Sequence, residues 1–100
     1  MAVHIIEFAR AVKAHLDALT ATQRTTVLDA IERQLTDEPL KETRRRKPLR
    51  PNPVAPWELR VGDLRVFYEV RPGSPAVVQI LAVGIKERDM LKIGGQEIKL

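Results

Sequence analysis

Cysteine is absent from the 100-residue chain, which excludes disulfide bonds and metal sites built on thiolates. No apolar run approaches the ~18 residues that a membrane-spanning helix requires, and no charged segment followed by a long apolar run marks a signal peptide. Glycine loops for phosphates or dinucleotides and serine nucleophile motifs are also absent. These absences favour a soluble, cytoplasmic protein, and we expect no metal, no cofactor and no membrane partner.

The chain is short and moderately hydrophobic. With 44% hydrophobic residues it suits a single domain over residues 1–100, and it is too short for two domains. A domain of this size buries only a modest core, so its stability is marginal and a bound partner could increase it.

The positive charge is concentrated in one segment. Residues 41–50, KETRRRKPLR, contain six basic residues and one acidic residue, whereas the formal charge of the whole chain is only +4. Clustered cations repel one another, which favours a polyanion or an acidic partner; a solvated loop that maintains solubility is the alternative. The residues of this segment that we expect to contact RNA or the ribosome are Arg44, Arg45, Arg46, Lys47 and Arg50.

The spacing of apolar residues changes from strand to helix and back to strand along the chain. Thr20 and Gln23 form a capping box that begins a second helix, and the residue before Pro39 disfavours the helical conformation. Residues 40–56 contain four prolines and no periodicity, which predicts a stiff loop that leads into a sheet. The predicted elements are a strand at Val3–Phe8, a helical hairpin over residues 9–36, strands at Trp57–Val61, Leu64–Val70 and Val77–Lys86, and a C-terminal hairpin about Gly94-Gly95.

This order, β-α-α-β-β-β with a possible C-terminal hairpin, predicts an α+β fold. The helical hairpin packs on one face of a mostly antiparallel sheet, and the other face is partly open. Alternation in the two strands around Gly62-Asp63 places Leu59, Val66 and Tyr68 on the covered face.

A two-residue type II′ turn at Gly62-Asp63 sets the pairing of the strands on either side of it. In this register Arg60 lies directly opposite Arg65, and like charges in that position cost up to ~1 kcal/mol. Glu58 and Glu69, as diagonal neighbours, could neutralise the two arginines internally. A bound phosphate is the second explanation, because the planar guanidinium group matches phosphate geometry.

The segment LRVGDLRVFYEV, followed by a loop and VVQILAVGIKER, resembles the RelE/ParE toxin superfamily of bacterial type II toxin–antitoxin systems. The resemblance implies a RelE-like fold with basic residues on the concave face of the sheet. The RelE branch cleaves mRNA in the ribosomal A site, and the ParE branch acts on DNA gyrase. The resemblance also implies a cognate RelB-like antitoxin, with operator DNA contacted only through the antitoxin complex.

Individual residues carry this resemblance. Arg65 matches the arginine of the family's Arg-x-x-Tyr strand, which contacts the scissile phosphate in the cleaving branch, and Tyr68 matches its tyrosine. Arg60 and Lys86 fall at or near basic positions of that branch, whereas Glu58 replaces a lysine of the RelE pattern. The tyrosine or histidine of the cleaving enzymes' C-terminal segment is missing, and in its place stand Met90, Leu91 and Lys92.

Metal-independent RNA cleavage requires a base for the 2′-hydroxyl, cations for the phosphorane and an acid for the leaving oxygen. We expect Arg65 and Arg60 to supply the cations, Glu58 the base, and Lys86 the acid or a further cation. A plain salt bridge is the alternative role for Glu58, and Arg88 either extends the basic rim or is an ordinary surface charge.

Three functions remain open at this point. The chain is a ribosome-dependent mRNA endonuclease that inhibits translation, a non-enzymatic inhibitor of gyrase, or a degenerate module that only binds antitoxin or RNA. The expected partners are the antitoxin and mRNA on the ribosome. His4 and His15 are expected to be structural or surface residues, because neither forms a metal motif.

Overall fold

A computed structural model of the protein describes residues 4–100 and shows helices packed on one face of a sheet. Val3, the first residue of the predicted N-terminal strand, lies outside the described residues. Among residues 4–100 no helix has the length and apolar character needed to cross a membrane. The elements are β1 (Ile5–Phe8), α1 (Val12–Asp17), α2 (Ala21–Leu35), β2 (Arg46–Pro48), β3 (Trp57–Val61), β4 (Leu64–Arg71), β5 (Val77–Glu87), β6 (Met90–Ile93) and β7 (Gln96–Ile98).

The strands form one sheet in the order β2-β3-β4-β5-β6-β7, and these neighbours are all antiparallel. β5 is eleven residues long. One edge of β5 pairs with β4. On its other edge, its first four residues pair with β1 in parallel and its last four pair with β6. The predicted α+β class is therefore confirmed, including the C-terminal hairpin, which β6 and β7 form.

The helical hairpin forms as its sequence signals predict. The Thr20 hydroxyl accepts a hydrogen bond from the Gln23 amide at 3.1 Å, and the Gln23 side chain accepts one from the Thr20 amide at 2.9 Å. Val27, Ile31 and Leu35 then recur at helical spacing and are buried against the sheet. The first helix is shorter than predicted, because it begins only at Val12.

The main core lies between the helices and the face of the sheet that carries Leu59, Val66 and Tyr68, all fully buried. Every residue pair predicted for β3 and β4 is confirmed, from Val61 opposite Leu64 to Trp57 opposite Tyr68. The Tyr68 hydroxyl donates a hydrogen bond to the carbonyl of Pro39 at 2.6 Å. Burial raises the pKa of this hydroxyl above its usual value, and the positive charge of Arg46 partly opposes that rise.

The predicted loop over residues 40–56 contains a short strand that the sequence analysis missed. β2 pairs with β3, so that Arg46 lies opposite Leu59 and Lys47 opposite Glu58. Pro48 is its last residue, and proline is tolerated there because β2 lies at the edge of the sheet. Three residues are too few for alternation to be recognised in the sequence, which explains the error.

The face opposite the helices is more covered than expected. Phe67 is fully buried in a second apolar cluster with Ala82 and with Leu91 and Ile93 of the C-terminal hairpin. Leu49, Val54 and Ala55 of the loop after β2 pack in this cluster. The Asn52 side chain shapes the loop by accepting hydrogen bonds from two following amides at 2.8 and 3.0 Å. This face therefore has an apolar, covered part beside the polar part at the arginine pair.

Candidate active site

The predicted juxtaposition of the two arginines is confirmed. Arg60 of β3 lies directly opposite Arg65 of β4, on the face of the sheet away from the helices. Glu58, two residues before Arg60, shares that face and is opposite the buried ring of Phe67. The type II′ turn that sets this register places Gly62 at φ +60, which a residue with a side chain rarely adopts.

Glu58 partly neutralises the arginine pair from within the fold. Its Oε2 accepts a hydrogen bond from Arg60 Nε at 3.0 Å, and its Oε1 lies 3.8 Å from Arg65 Nε. The Glu58 side chain is only 8% exposed. One carboxylate facing two guanidinium groups leaves a net charge of +1. Internal neutralisation by Glu58 and binding of a phosphate are therefore both compatible with this geometry.

The two arginines differ in how firmly they are held. Arg65 Nη1 donates hydrogen bonds to the carbonyls of Gly62 at 2.7 Å and Leu64 at 2.9 Å, and its side chain is 14% exposed. The Arg60 side chain is 49% exposed. Arg65 is thus held in place by the turn, whereas Arg60 reaches into solvent.

Gly84 of β5 lies opposite Arg65 and allows the C-terminal hairpin to approach the arginines. A Cβ atom at this position would collide with the Lys92 carbonyl oxygen and would lie 2.9 Å from Ile93 Cγ1. Gly84 is therefore the residue that lets β6 pack tightly against the end of β5. Gly84 lies within the segment VVQILAVGIKER, where no local pattern predicts this packing role.

A cleft of about 320 Å³ lies between the arginine pair and the C-terminal hairpin. Three of the four predicted catalytic residues line it, namely Glu58, Arg65 and Lys86. Within residues 4–100 its lining includes neither Arg60 nor Arg88. Arg88 is exposed in the turn between β5 and β6. The remaining charged residues of the lining, which the sequence analysis missed, are Asp89, Glu97 and Lys99.

Lys86 is exposed at the mouth of this cleft. Its amide donates a hydrogen bond to the Asp63 carbonyl at 2.7 Å, which holds the end of β5 against the turn that carries Arg65. Met90 and Leu91 line the cleft, so the C-terminal segment contributes apolar surface where cleaving enzymes have a tyrosine or histidine. Lys92 instead lines a separate cavity on the helix side and lies 3.8 Å from Glu87.

The structure divides the basic segment into residues of different kinds. The Arg46 side chain donates hydrogen bonds to the backbone carbonyls of Gln34 at 2.8 Å and Lys41 at 3.0 Å, which ties the segment to the end of α2. Lys47 lies opposite Glu58 on the face that carries the arginine pair. The group exposed on the surface comprises Arg44, Arg45 and Arg50.

His15 has a structural contact that the sequence did not reveal. Its Nδ1 accepts a hydrogen bond from the Val83 amide at 3.3 Å, in the stretch of β5 between the residues that pair with β1 and those that pair with β6. Burial lowers the pKa of His15. His4 Nδ1 lies 3.4 Å from the Thr36 carbonyl oxygen. Both contacts agree with the structural roles expected for these histidines.

Comparison with known proteins adds independent information. Residues 6–90 match the family described as ParE toxin of type II toxin-antitoxin system, parDE. No curated protein matches the sequence. The fold is similar to a crystal structure of the toxin-antitoxin complex RelBE2 from Mycobacterium tuberculosis, with a TM-score of 0.72 and 26% identity over 86% of this chain and 94% of that chain. The chain therefore belongs to the RelE/ParE superfamily of type II toxin–antitoxin toxins.

Proposed function

We propose that this toxin is a ribosome-dependent mRNA endonuclease that inhibits translation without a metal ion. The observation that carries the proposal is the cleft in which Arg65, Glu58 and Lys86 come together. These residues are the chemical groups that cleavage by the 2′-hydroxyl requires, namely a cation for the phosphorane, a carboxylate and an ammonium donor.

In this mechanism the 2′-oxygen attacks the adjacent phosphorus, and Glu58 Oε1 takes the 2′-hydroxyl proton. Oε1 is the available oxygen because it lies 3.8 Å from Arg65 Nε, beyond hydrogen-bond distance, whereas Oε2 is bound by Arg60. Arg65 stabilises the additional negative charge on the phosphorane, and Arg60, which lies opposite Arg65 but outside the lining of the cleft, adds a second positive charge at longer range. The bond from phosphorus to the 5′-oxygen then breaks, and Lys86 protonates that oxygen, which leaves a 2′,3′-cyclic phosphate and a 5′-hydroxyl.

The partners follow from the same proposal. mRNA in the ribosomal A site is the substrate, and a RelB-like antitoxin is the inhibitor. The similar solved structure is itself a toxin-antitoxin complex, which supports an antitoxin partner for this chain. Operator DNA is contacted only by the complex with the antitoxin, and we place the toxin in the cytoplasm.

Induction of the chain without its antitoxin tests the proposal. We expect protein synthesis to stop within minutes of induction and mapped mRNA ends to cluster at A-site codons. Lys86→Ala should abolish both effects and still bind antitoxin, because Lys86 is exposed and its removal leaves the core intact. Arg71→Ala is the matched control, since Arg71 contacts exposed Glu7 at 2.8 Å and does not line the cleft within the described residues.

Inhibition of gyrase is the second candidate function, and the match to the ParE family favours it. The apolar Met90 and Leu91 in the cleft also favour it, because a gyrase inhibitor needs no general acid or base there. Translation that continues while supercoiling and chromosome segregation fail would select this candidate. Folded protein that binds antitoxin or RNA but has no effect on growth would select a degenerate binding module.

A further inference from the structure

The register of β2 extends the arginine pair into a row of three. The Arg60 amide donates a hydrogen bond to the Arg45 carbonyl at 2.8 Å, which continues the β2–β3 ladder by one residue. Arg45 therefore lies across from Arg60, as Arg60 lies across from Arg65. Neighbouring strands are about 4.8 Å apart, so the backbones of Arg45, Arg60 and Arg65 follow one another across the sheet, with Arg45 at the bend that precedes β2.

Lys47 lies on the same face as this row, because it lies opposite Glu58 in the register. Its contact with the exposed Glu42 is 3.6 Å long, and exposed ion pairs of this kind are weak and easily exchanged. Exposure rises along the row from 14% at Arg65 to 49% at Arg60 and to the exposed Arg45. The row therefore leads from the cleft to an accessible edge of the sheet.

The opposite side of the cleft has a different charge. There the C-terminal hairpin contributes Asp89 and Glu97 to the lining beside Lys99. A polyanion that leaves the cleft meets mixed charge in that direction and mainly positive charge across β3 and β2. Electrostatics thus favours one exit path for a nucleic-acid strand bound at Arg65.

We propose that Arg45 and Lys47 form a subsite for the sugar-phosphate backbone of single-stranded RNA, adjacent to the cleft. The strand crosses β4, β3 and β2 in turn, with its scissile phosphate at Arg65 and a neighbouring phosphate at Arg45. This subsite rests on the proposed nuclease function, because it positions the RNA that the cleft cleaves. Arg44, Arg46 and Arg50 lie outside the subsite, although the sequence grouped all of them together.

An acidic peptide is a less suitable occupant of this row. Protein partners usually depend on a few buried apolar or aromatic anchors. The row itself presents the exposed or half-exposed side chains of Arg45, Lys47 and Arg60, whereas the neighbouring apolar residues, half-buried Leu49 and fully buried Phe67, are packed in the second apolar cluster. A phosphate backbone requires only such charges, since its binding is driven by the release of counterions.

The test is direct binding of a fluorescently labelled single-stranded RNA 12-mer, made uncleavable by 2′-O-methylation, measured by anisotropy over a range of salt concentrations. Arg45→Ala/Lys47→Ala is compared with Arg44→Ala/Arg50→Ala. Both variants lose two positive charges from the same segment, and thermal melts confirm that both are folded. The slope of the logarithm of the binding constant against the logarithm of the salt concentration should fall by about 0.7 for each lost phosphate contact. The first variant then binds roughly 20-fold more weakly at 0.1 M salt. The control variant keeps nearly the full slope.

Equal losses in the two variants would overturn the subsite and leave a non-specific basic loop. Failure of the wild-type protein to bind the RNA would also overturn it. Selective loss of binding to a poly-glutamate peptide in the first variant, with RNA binding intact, would assign the row to an acidic partner. If the protein cleaves mRNA on the ribosome but the two double variants bind RNA equally well, the subsite is refuted and the nuclease function stands. If RNA binding depends on the subsite but the protein never arrests translation, the nuclease function is refuted and the subsite stands.

Discussion

The two faces of this sheet are built from the same alternating strands but differ in what they bury and in their polarity. On the helix side, Leu59, Val66 and Tyr68 are fully buried and form a continuous core. On the other side, Phe67 anchors a small second core, and the arginine pair lies beside it. A chain of 100 residues thus stabilises one face with helices and keeps part of the other face polar.

This difference shows how a small domain can hold an arginine pair without losing its fold. The cost of placing Arg60 opposite Arg65 is offset by the carboxylate of Glu58, which is held between them. The second core supports the strands on the same face, so the polar site does not depend on the helices alone. Separate perturbations of the two parts should therefore have separable effects.

Removal of the second core should have the largest effect on stability. Phe67→Ala deletes a fully buried ring, and we expect the free energy of unfolding to fall by about 3–5 kcal/mol. Urea denaturation measures this change. Phe8→Ala makes the same substitution at a residue that is 47% exposed and should cost much less. Similar costs at the two positions would mean that the second face carries no real core.

Closing the space at Gly84 should have an intermediate effect. Gly84→Ala forces a Cβ into the Lys92 carbonyl oxygen and is expected to cost about 1–3 kcal/mol through overpacking. The same change should increase the rate of hydrogen exchange at the β6 amides and loosen the C-terminal hairpin that lines the cleft. Gly73→Ala is the milder comparison, because in this exposed loop the added Cβ atom would lie 3.2 Å from the Pro75 carbonyl oxygen, and it should cost less than Gly84→Ala. Unchanged exchange rates in β6 would contradict the role assigned to Gly84.

The smallest effect is expected from pH. Burial lowers the pKa of folded His15, so the unfolded chain binds a proton before the folded protein does as the pH falls through about 6.5. Stability linked to His15 is therefore present above that pH and decreases below it. The pH dependence of urea unfolding should be reduced in His15→Gln, whose amide oxygen can still accept the Val83 hydrogen bond. His4→Gln serves as the comparison, and equal changes in both variants would contradict this account.

Much of the fold could be predicted from the sequence because its signals are local. The capping box at Thr20, the turn at Gly62-Asp63 and the alternation around it determine the helical hairpin and the register of Arg60 and Arg65. β2 could not be predicted, since three residues carry no recognisable alternation and its pairing depends on the free edge of β3.

The candidate site was predictable only in part, because some of its residues meet through tertiary contacts that leave no local signal in the sequence. Arg65, Glu58 and Lys86 follow from strand register and resemblance, and the cleft does bring them together. The contributions of Asp89, Glu97 and Lys99 depend on the C-terminal hairpin folding back beside Arg65. That arrangement requires the close approach at Gly84, which is a tertiary contact with no local signal.

The most direct test of the central claim uses purified ribosomes programmed with a defined mRNA and incubated with the antitoxin-free toxin. We predict cleavage within the A-site codon, with a 5′-hydroxyl on the downstream fragment, and its loss in Lys86→Ala but not in Arg71→Ala. Intact mRNA on these ribosomes, together with inhibition of purified gyrase by the same preparation, would contradict the account and assign the toxin to the other branch of its superfamily.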